Sequence, residues 1–383
     1  MTNISMQQNE KKQRFNFKEL KIINPSLSTA DKNEPVLELI AGDASDRKFF
    51  RLVNSKKGNV ICMQFPKWEG GYGGDPISWI GMHSALAKMN IPIPQILEID
   101  ETNACIWTED LGNDFLNSCI QNKILDRHNP QCKQAILYYK NALMLLIHAQ
   151  YPDMTIDHPA SNRLFDFEKL YYELNFFAEN FLKNFLNLDK LKPDFDWKGL
   201  DDDFRFLCIK LQNYPRVLCH RDYHVRNIMI KNNELFWIDF QDARMGPHSY
   251  DVVSILRDSY VDITWETREY LFSYYLSALN ARRNELNLKT ISFVDFHLES
   301  LLMGLQRNLK AIGSFGYLAT KKQKSDYLKY VNQTLKILCS RNAQLHEETD
   351  IKGLLPHIFN LLENLYSGEF SSHLNNLIHS KCS

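Results

Sequence analysis

Pro215-Arg-Val-Leu-Cys-His-Arg-Asp-Tyr-His-Val-Arg-Asn-Ile-Met-Ile230, followed by Leu235-Phe-Trp-Ile-Asp-Phe-Gln-Asp-Ala-Arg-Met-Gly-Pro247, is the stretch around which the chain is organised. Val217-Leu-Cys219, Ile228-Met-Ile230 and Leu235-Phe-Trp-Ile238 are short apolar runs that predict buried strands, with Lys231-Asn-Asn-Glu234 as the turn between the last two. That hairpin sets Asn227, at the start of one strand, beside Asp239, at the end of the next. A carboxylate and an amide oxygen at adjacent strand ends suit Mg²⁺, a hard cation that takes one or two protein ligands and fills its shell with water and phosphate. Asp222 falls in the loop just ahead, as a second carboxylate near the metal.

Phosphoryl transfer needs this division of labour: one carboxylate orients and deprotonates an attacking hydroxyl while two oxygen ligands hold metal on the phosphates. His220-x-Asp222-x-x-x-x-Asn227, then Asp239-Phe240, matches the kinase template for the catalytic loop and the metal site. Gln241 stands where protein kinases have glycine, which points to small-molecule kinases of the same fold. The plainer reading of the three polar residues is turn chemistry beside strands, but their spacing, order and apolar setting agree with the template. His220 reads as a packed histidine that supports the loop.

The 383 residues are enough for two lobes, each with its own core. A formal net charge of −1 gives no footprint for nucleic acid or a membrane surface. Eight cysteines without a C-x-x-C pair read as buried thiols of a reducing compartment. The polar start, Met1 to Arg14, has no apolar core of a signal peptide, so a cytoplasmic, soluble protein is expected, with residues 1–15 as a disordered tail.

A short helix is expected near Phe17 to Ile23. Pro35–Ala41, Arg47–Val53 and Asn59–Phe65 then predict a strand meander, followed by a helix at Pro76–Met89 and strands at Gln95–Ile99 and Ala104–Glu109. The fold class is therefore α+β: a small lobe (16–110) with an antiparallel sheet plus a helix, and a mainly helical large lobe (111–383). In a protein-kinase-like fold the phosphate-covering loop falls at Gly42 to Asp46, where the backbone at Gly42, Ala44 and Ser45 could face phosphate, although a single glycine equally suits a hairpin turn. Met63 stands where kinases carry a strand lysine, and the following helix offers no glutamate; loss of both is coherent, since one unpaired buried charge is costly. Arg47, Arg51 and Lys67 are candidates to supply the charge. The main chain of Glu109 and Leu111 is placed to contact a base, and Asp110 is either part of that hinge or a helix N-cap. Gly70 to Gly74 reads as a surface loop or a lid. Further helices are predicted over 131–150, 163–186, 201–212, 249–260, 267–284, 293–312, 323–340 and 351–365, with Asp201-Asp-Asp203 as an acidic first turn.

With Ala41-Gly-Asp-Ala-Ser45-x-Arg47, Glu109-Asp-Leu-Gly112, His220-Arg-Asp-Tyr-His-x-Arg-Asn227, Asp239-Phe-Gln-Asp-Ala243, Tyr250-Asp251 and Met303-Gly-Leu-Gln-Arg-Asn-Leu-Lys310, the chain resembles the aminoglycoside phosphotransferase superfamily. More narrowly it is similar to the N-acetylmuramate/N-acetylglucosamine anomeric kinases of bacterial cell-wall recycling. The landmarks span about residues 38 to 345, leaving the tail and about the last 40 residues uncovered. The resemblance implies ATP and Mg²⁺, a small-molecule sugar substrate and a sugar 1-phosphate product. Asp222 is then the base, Asn227 and Asp239 the metal ligands, Gly42, Ala44, Ser45, Arg47, Glu109 and Leu111 the nucleotide contacts, and His220 and Asp251 structural supports. Arg226 and Arg307 are candidates for the lactyl carboxylate of muramate; His224 either donates to a sugar hydroxyl or stabilises the loop. The residues alone define only a hydroxyl kinase. Another small alcohol (an aminoglycoside, choline or homoserine) and a catalytically silent nucleotide-binding module are the competing readings.

Overall fold

The computed structural model describes residues 14–16, 36–40, 47–55, 58–71, 74–120, 124–339 and 351–382. The expected helix at 17–23, and Gly42, Ala44 and Ser45 of the expected phosphate loop, lie outside them, as do residues 72 and 73 of the glycine-rich segment. The chain forms two compact units, residues 1–80 with 93–112 and residues 81–92 with 113–383.

The first unit is built on one antiparallel sheet of β1 (Arg14–Asn16), β2 (Val36–Ile40), β3 (Lys48–Ser55), β4 (Gly58–Gln64), β5 (Ile96–Asp100) and β6 (Cys105–Glu109), in the order β1-β2-β3-β4-β6-β5. Side chains two apart share a face of a strand, so Phe50 and Leu52, Val60 and Cys62, and Cys105 and Trp107 meet with Leu37 in one core. Each such side chain contributes about 1.5–3 kcal/mol on burial. Arg14 and Phe15, expected in the disordered tail, instead pair with Glu38 and Leu37. Composition misses this because the pairing partner is the free edge of β2, a long-range feature. Helix α1 (Pro76–Lys88) follows, its start capped by buried Asp75, which accepts from the Ser78 N–H and hydroxyl, both at 2.7 Å. Residues 81–92 were expected in the small lobe but belong to the second unit, where His148 Nε2 meets the Met89 carbonyl at 2.8 Å and Trp237 N donates to the Pro92 carbonyl at 2.9 Å.

The second unit is mainly helical. Its elements are β7 (Ile124–Leu125), α2 (Lys133–Gln150), α3 (Phe167–Phe177), α4 (Leu188–Leu191), α5 (Trp197–Gln212), β8 (Arg216–Cys219), β9 (Ile228–Lys231), β10 (Glu234–Trp237), β11 (Arg244–Pro247), α6 (Tyr250–Leu256), β12 (Asp262–Ile263), α7 (Trp265–Glu285), α8 (Phe293–Lys321), α9 (Val331–Cys339), α10 (Ile351–Leu354), α11 (Pro356–Tyr366) and α12 (Ser371–Cys382). The centre is α8, buried nearly all round from Phe296 to Leu309 and packed on α3 and α6. Gly313 permits that approach: a Cβ there would lie 2.6 Å from the Phe177 Cα.

Three expectations change. The 163–186 helix starts only at Phe167, under its Asp166 cap, and passes after Phe177 into a π segment (Ala178–Lys183). The 323–340 helix opens as a 3-10 turn, Ser325–Tyr330, before α9. Asp201 to Asp203 are not a first turn, because α5 starts at Trp197 under an Asp196 cap. Asp203 is buried there and accepts from the His357 and Ile358 N–H groups at the start of α11, at 2.8 and 2.9 Å. All eight cysteines are free thiols, and burial raises those of Cys208, Cys219 and Cys339. Among the described residues no helix is long and apolar enough to cross a membrane.

Candidate active site

β8 pairs with β11, and β9 with β10, as two antiparallel ladders, and the catalytic loop 220–227 joins β8 to β9. Within it the Asp222 carbonyl accepts from the His224 N–H at 3.0 Å and from Asn227 Nδ2 at 2.9 Å, while the Asn227 carbonyl accepts from the Ile238 N–H at 3.1 Å. This chain of bonds ties Asp222, Asn227 and the residue before Asp239 together. Because its Nδ2 is committed, Asn227 presents Oδ1. Asp239 carries φ of +63° and accepts at Oδ1 from Gln241 Nε2 at 3.1 Å, so the residue that replaces the kinase glycine orients the Asp239 carboxylate.

Arg221 is also left-handed, at φ +83°. Such a backbone costs a side-chain-bearing residue about 1–2 kcal/mol and persists only where its surroundings enforce it. Enforcement comes from Asp251 on α6, whose two oxygens accept from the His220 and Arg221 N–H groups at 2.6 and 3.1 Å. Burial pushes the Asp251 carboxyl up to about 7, against the two N–H bonds, which pull it down. Seven residues on, Asp258 accepts from Val225 N at 3.0 Å and Tyr260 N at 2.9 Å, bracing the far end of the loop. His220 packs on Tyr223 and Trp237 with Nε2 3.0 Å from the Ile238 carbonyl; burial lowers it to about 4, so the ring is neutral at pH 7.

The Asp222 carboxylate is paired with a cation of the late-helix motif. Lys310 Nζ, from α8, lies 3.1 Å from Asp222 Oδ1, with the two side chains 18% and 30% exposed. Burial alone would raise Asp222; Lys310 and then Arg221 reverse that and hold it well below the usual carboxylate range. Lys310 stands one helical turn beyond Arg307, a face-sharing spacing that could have pointed to it.

Arg226 and Arg307 each have partners within the fold. Arg307 is 6% exposed and donates from Nε to Ser254 Oγ at 3.0 Å. Arg226 lies over the Tyr260 ring at 3.9 Å and donates to the Tyr330 hydroxyl at 2.6 Å. Residue type announced a cation in each case but not its direction. His224 packs edge-on against Tyr260 with Nδ1 enclosed.

In the first unit, Arg51 forms a two-pronged pair with Asp110, at 2.7 and 3.0 Å, and also donates to the Gly112 carbonyl. Lys67 is exposed and paired with Glu69. Arg47, by contrast, is buried and brings Nη1 to 3.7 Å from the Met63 sulfur, where the kinase lysine would stand. The Glu109 N–H is bonded to the Gln95 carbonyl at 3.0 Å, and Leu111 is buried.

A kinase-like catalytic loop, an Asn/Asp pair on the neighbouring strand ends and an antiparallel sheet unit define a phosphotransferase of the protein-kinase-like fold. The chain belongs to the phosphotransferase enzyme family, which matches residues 36–286. It is similar to the N-acetylmuramate/N-acetylglucosamine kinases of Pseudomonas aeruginosa, at 30% identity covering 84% of this chain and 90% of that one, and of Neisseria meningitidis, at 28% covering 83% and 89%. Among solved structures, an ethanolamine kinase of Plasmodium vivax aligns with a TM-score of 0.56 at 15% identity, covering 85% of this chain and 86% of that one. A choline kinase of Cryptosporidium parvum aligns at 0.51 and 13%, covering 88% and 94%. These two likenesses concern the fold alone.

Proposed function

We propose that this enzyme transfers the γ-phosphoryl group of ATP to the anomeric hydroxyl of N-acetylmuramate or N-acetylglucosamine, giving ADP and the sugar 1-phosphate. The observation that carries the chemistry is the Asp222 carboxylate, held ionised beside Lys310 on the loop that also positions Asn227. Asp222 accepts the proton of the sugar hydroxyl as its oxygen attacks phosphorus. Asn227 Oδ1 and the Asp239 carboxylate suit Mg²⁺, which takes few protein oxygens and completes its shell from phosphate and water. When bound, that ion neutralises charge on the phosphates. Arg47, the Glu109 carbonyl and the Leu111 N–H are the proposed nucleotide contacts, and His220 and Asp251 support the loop.

The choice of sugar is supported by the likeness to kinases of that name over more than four-fifths of this chain. The test is ADP release with Mg-ATP and each sugar, with ³¹P NMR identifying the position of the phosphate. Turnover with neither sugar, or phosphate at another hydroxyl, refutes the assignment. Asp222→Asn is expected to lower kcat by about a thousandfold, within the usual range for loss of a general base. Nucleotide binding should persist in that variant, and full activity would contradict the role of Asp222.

A further inference from the structure

Beside Asp222 lies a group of charged side chains that the chemistry above does not use: Arg163, Lys169, Arg221, Arg244, Glu173 and Asp242. Glu173 is 2% exposed and already served, by Lys169 Nζ at 3.1 Å and by Gln306 Nε2 at 3.0 Å. Arg221 approaches Glu173 only to 3.9 Å and Asp242 to 3.6 Å, too long for a hydrogen bond, and its Nε is buried without an acceptor. Arg163 donates to the Gln241 carbonyl at 2.7 Å. Arg244, on β11, is half-buried, and its Nε is likewise enclosed with no acceptor; no ion pair engages it among the described residues.

The charged neighbours of Arg244 are Arg221 and Arg163 on one side of the balance and Glu173 and Asp242 on the other. Burial first, and then the neighbouring Arg221 guanidinium, depress the Arg244 pKa, whereas Asp222, Glu173 and Asp242 raise that of Arg221 against its burial. A guanidinium kept under those conditions, with an enclosed N–H left over, calls for an anion from outside the chain. Two guanidinium groups offer paired N–H donors, which match the two oxygens of a carboxylate better than a point charge does.

N-acetylmuramate differs from N-acetylglucosamine by a lactyl ether that ends in a carboxylate. We propose that Arg244, together with Arg221, is the subsite for that carboxylate and gives the enzyme a preference for N-acetylmuramate. The inference rests on the sugar-kinase reading, and its test separates the two.

The test compares kcat/KM for three acceptors: N-acetylmuramate, its lactyl methyl ester and N-acetylglucosamine. The wild type should favour the acid over the ester by at least about tenfold, the size of one charge-assisted hydrogen bond. In Arg244→Gln the loss on N-acetylmuramate should exceed that on N-acetylglucosamine by about tenfold or more, mainly through KM, with the acid-over-ester preference collapsing towards unity. Arg244→Lys, which keeps the charge without the fork, should recover part of it. Equal losses on all three acceptors overturn the subsite. So does a wild type that treats acid and ester alike, a comparison that needs no variant to fold. A wild type that turns over N-acetylglucosamine but not N-acetylmuramate leaves the sugar-kinase reading standing and overturns the subsite; one that phosphorylates none of the three overturns both.

Discussion

Asp251→Asn changes one atom of a wholly buried side chain and should be felt in both stability and rate. In the native protein the two carboxylate oxygens accept from the His220 and Arg221 N–H groups at 2.6 and 3.1 Å. Asparagine has one acceptor oxygen, and its amide would meet the second N–H donor to donor. One buried N–H is then unpaired, at about 1–3 kcal/mol, and the restraint that repays the left-handed Arg221 backbone, about 1–2 kcal/mol, is weakened. The sum, about 2–5 kcal/mol, is a large part of an ordinary stability of about 5–15 kcal/mol, but the chain should still fold. Fluorescence-monitored melting should show a fall of roughly 4–20 °C for a unit of this size. Since Asp222 follows the two released groups directly, kcat should fall about tenfold or more while KM for ATP moves less than about threefold. A variant with wild-type melting and wild-type kcat would refute the reasoning, because the bonds would then be shown to hold nothing in place.

Lys310→Met removes the partner of Asp222 from a pair less than a third exposed on either side; losing a charge-assisted bond of about 1.5–3 kcal/mol predicts a fall in kcat of about 10- to 150-fold, and unaltered steady-state kinetics would remove Lys310 from the site. Arg47→Met should weaken ATP binding about tenfold or more, measured by isothermal titration, with little change in sugar KM; Lys67→Met, at an exposed surface pair, should leave ATP affinity within about twofold.

What could be read from the sequence was whatever is periodic or local. Alternation along β3, β4 and β6 gave the sheet of the first unit, and the His220 to Asp239 spacing gave the hairpin that gathers Asn227 with its neighbours. Local reading failed where a long-range partner decides. Residues 244–247 are assigned no element from the sequence, yet they form β11 because Cys219 to Arg216 lie opposite them. Asp258 and Glu173 are acids on helices until folding delivers Val225 to one and Lys169 with Gln306 to the other. Arg226 and Arg307 likewise have bonds to Tyr330 and Ser254 that sequence spacing does not announce.

The missing lysine and glutamate of the small unit can be understood in the same physical terms. A lysine at position 63 would need a buried acid, and α1 contains none; either residue alone would be an uncompensated charge. Met63 avoids that problem by being neutral, and the charge arrives from the adjoining strand, where Arg47 immediately precedes β3 and Phe49 is the residue opposite Met63. A guanidinium is more weakly hydrated than an ammonium and is stabilised by polarizable neighbours. Here those neighbours are the Met63 sulfur at 3.7 Å and the Phe49 ring at 5.7 Å. Met63 and Arg47 therefore make physical sense together: a neutral side chain stands at the strand position, and the positive charge comes to it from the residue just before β3.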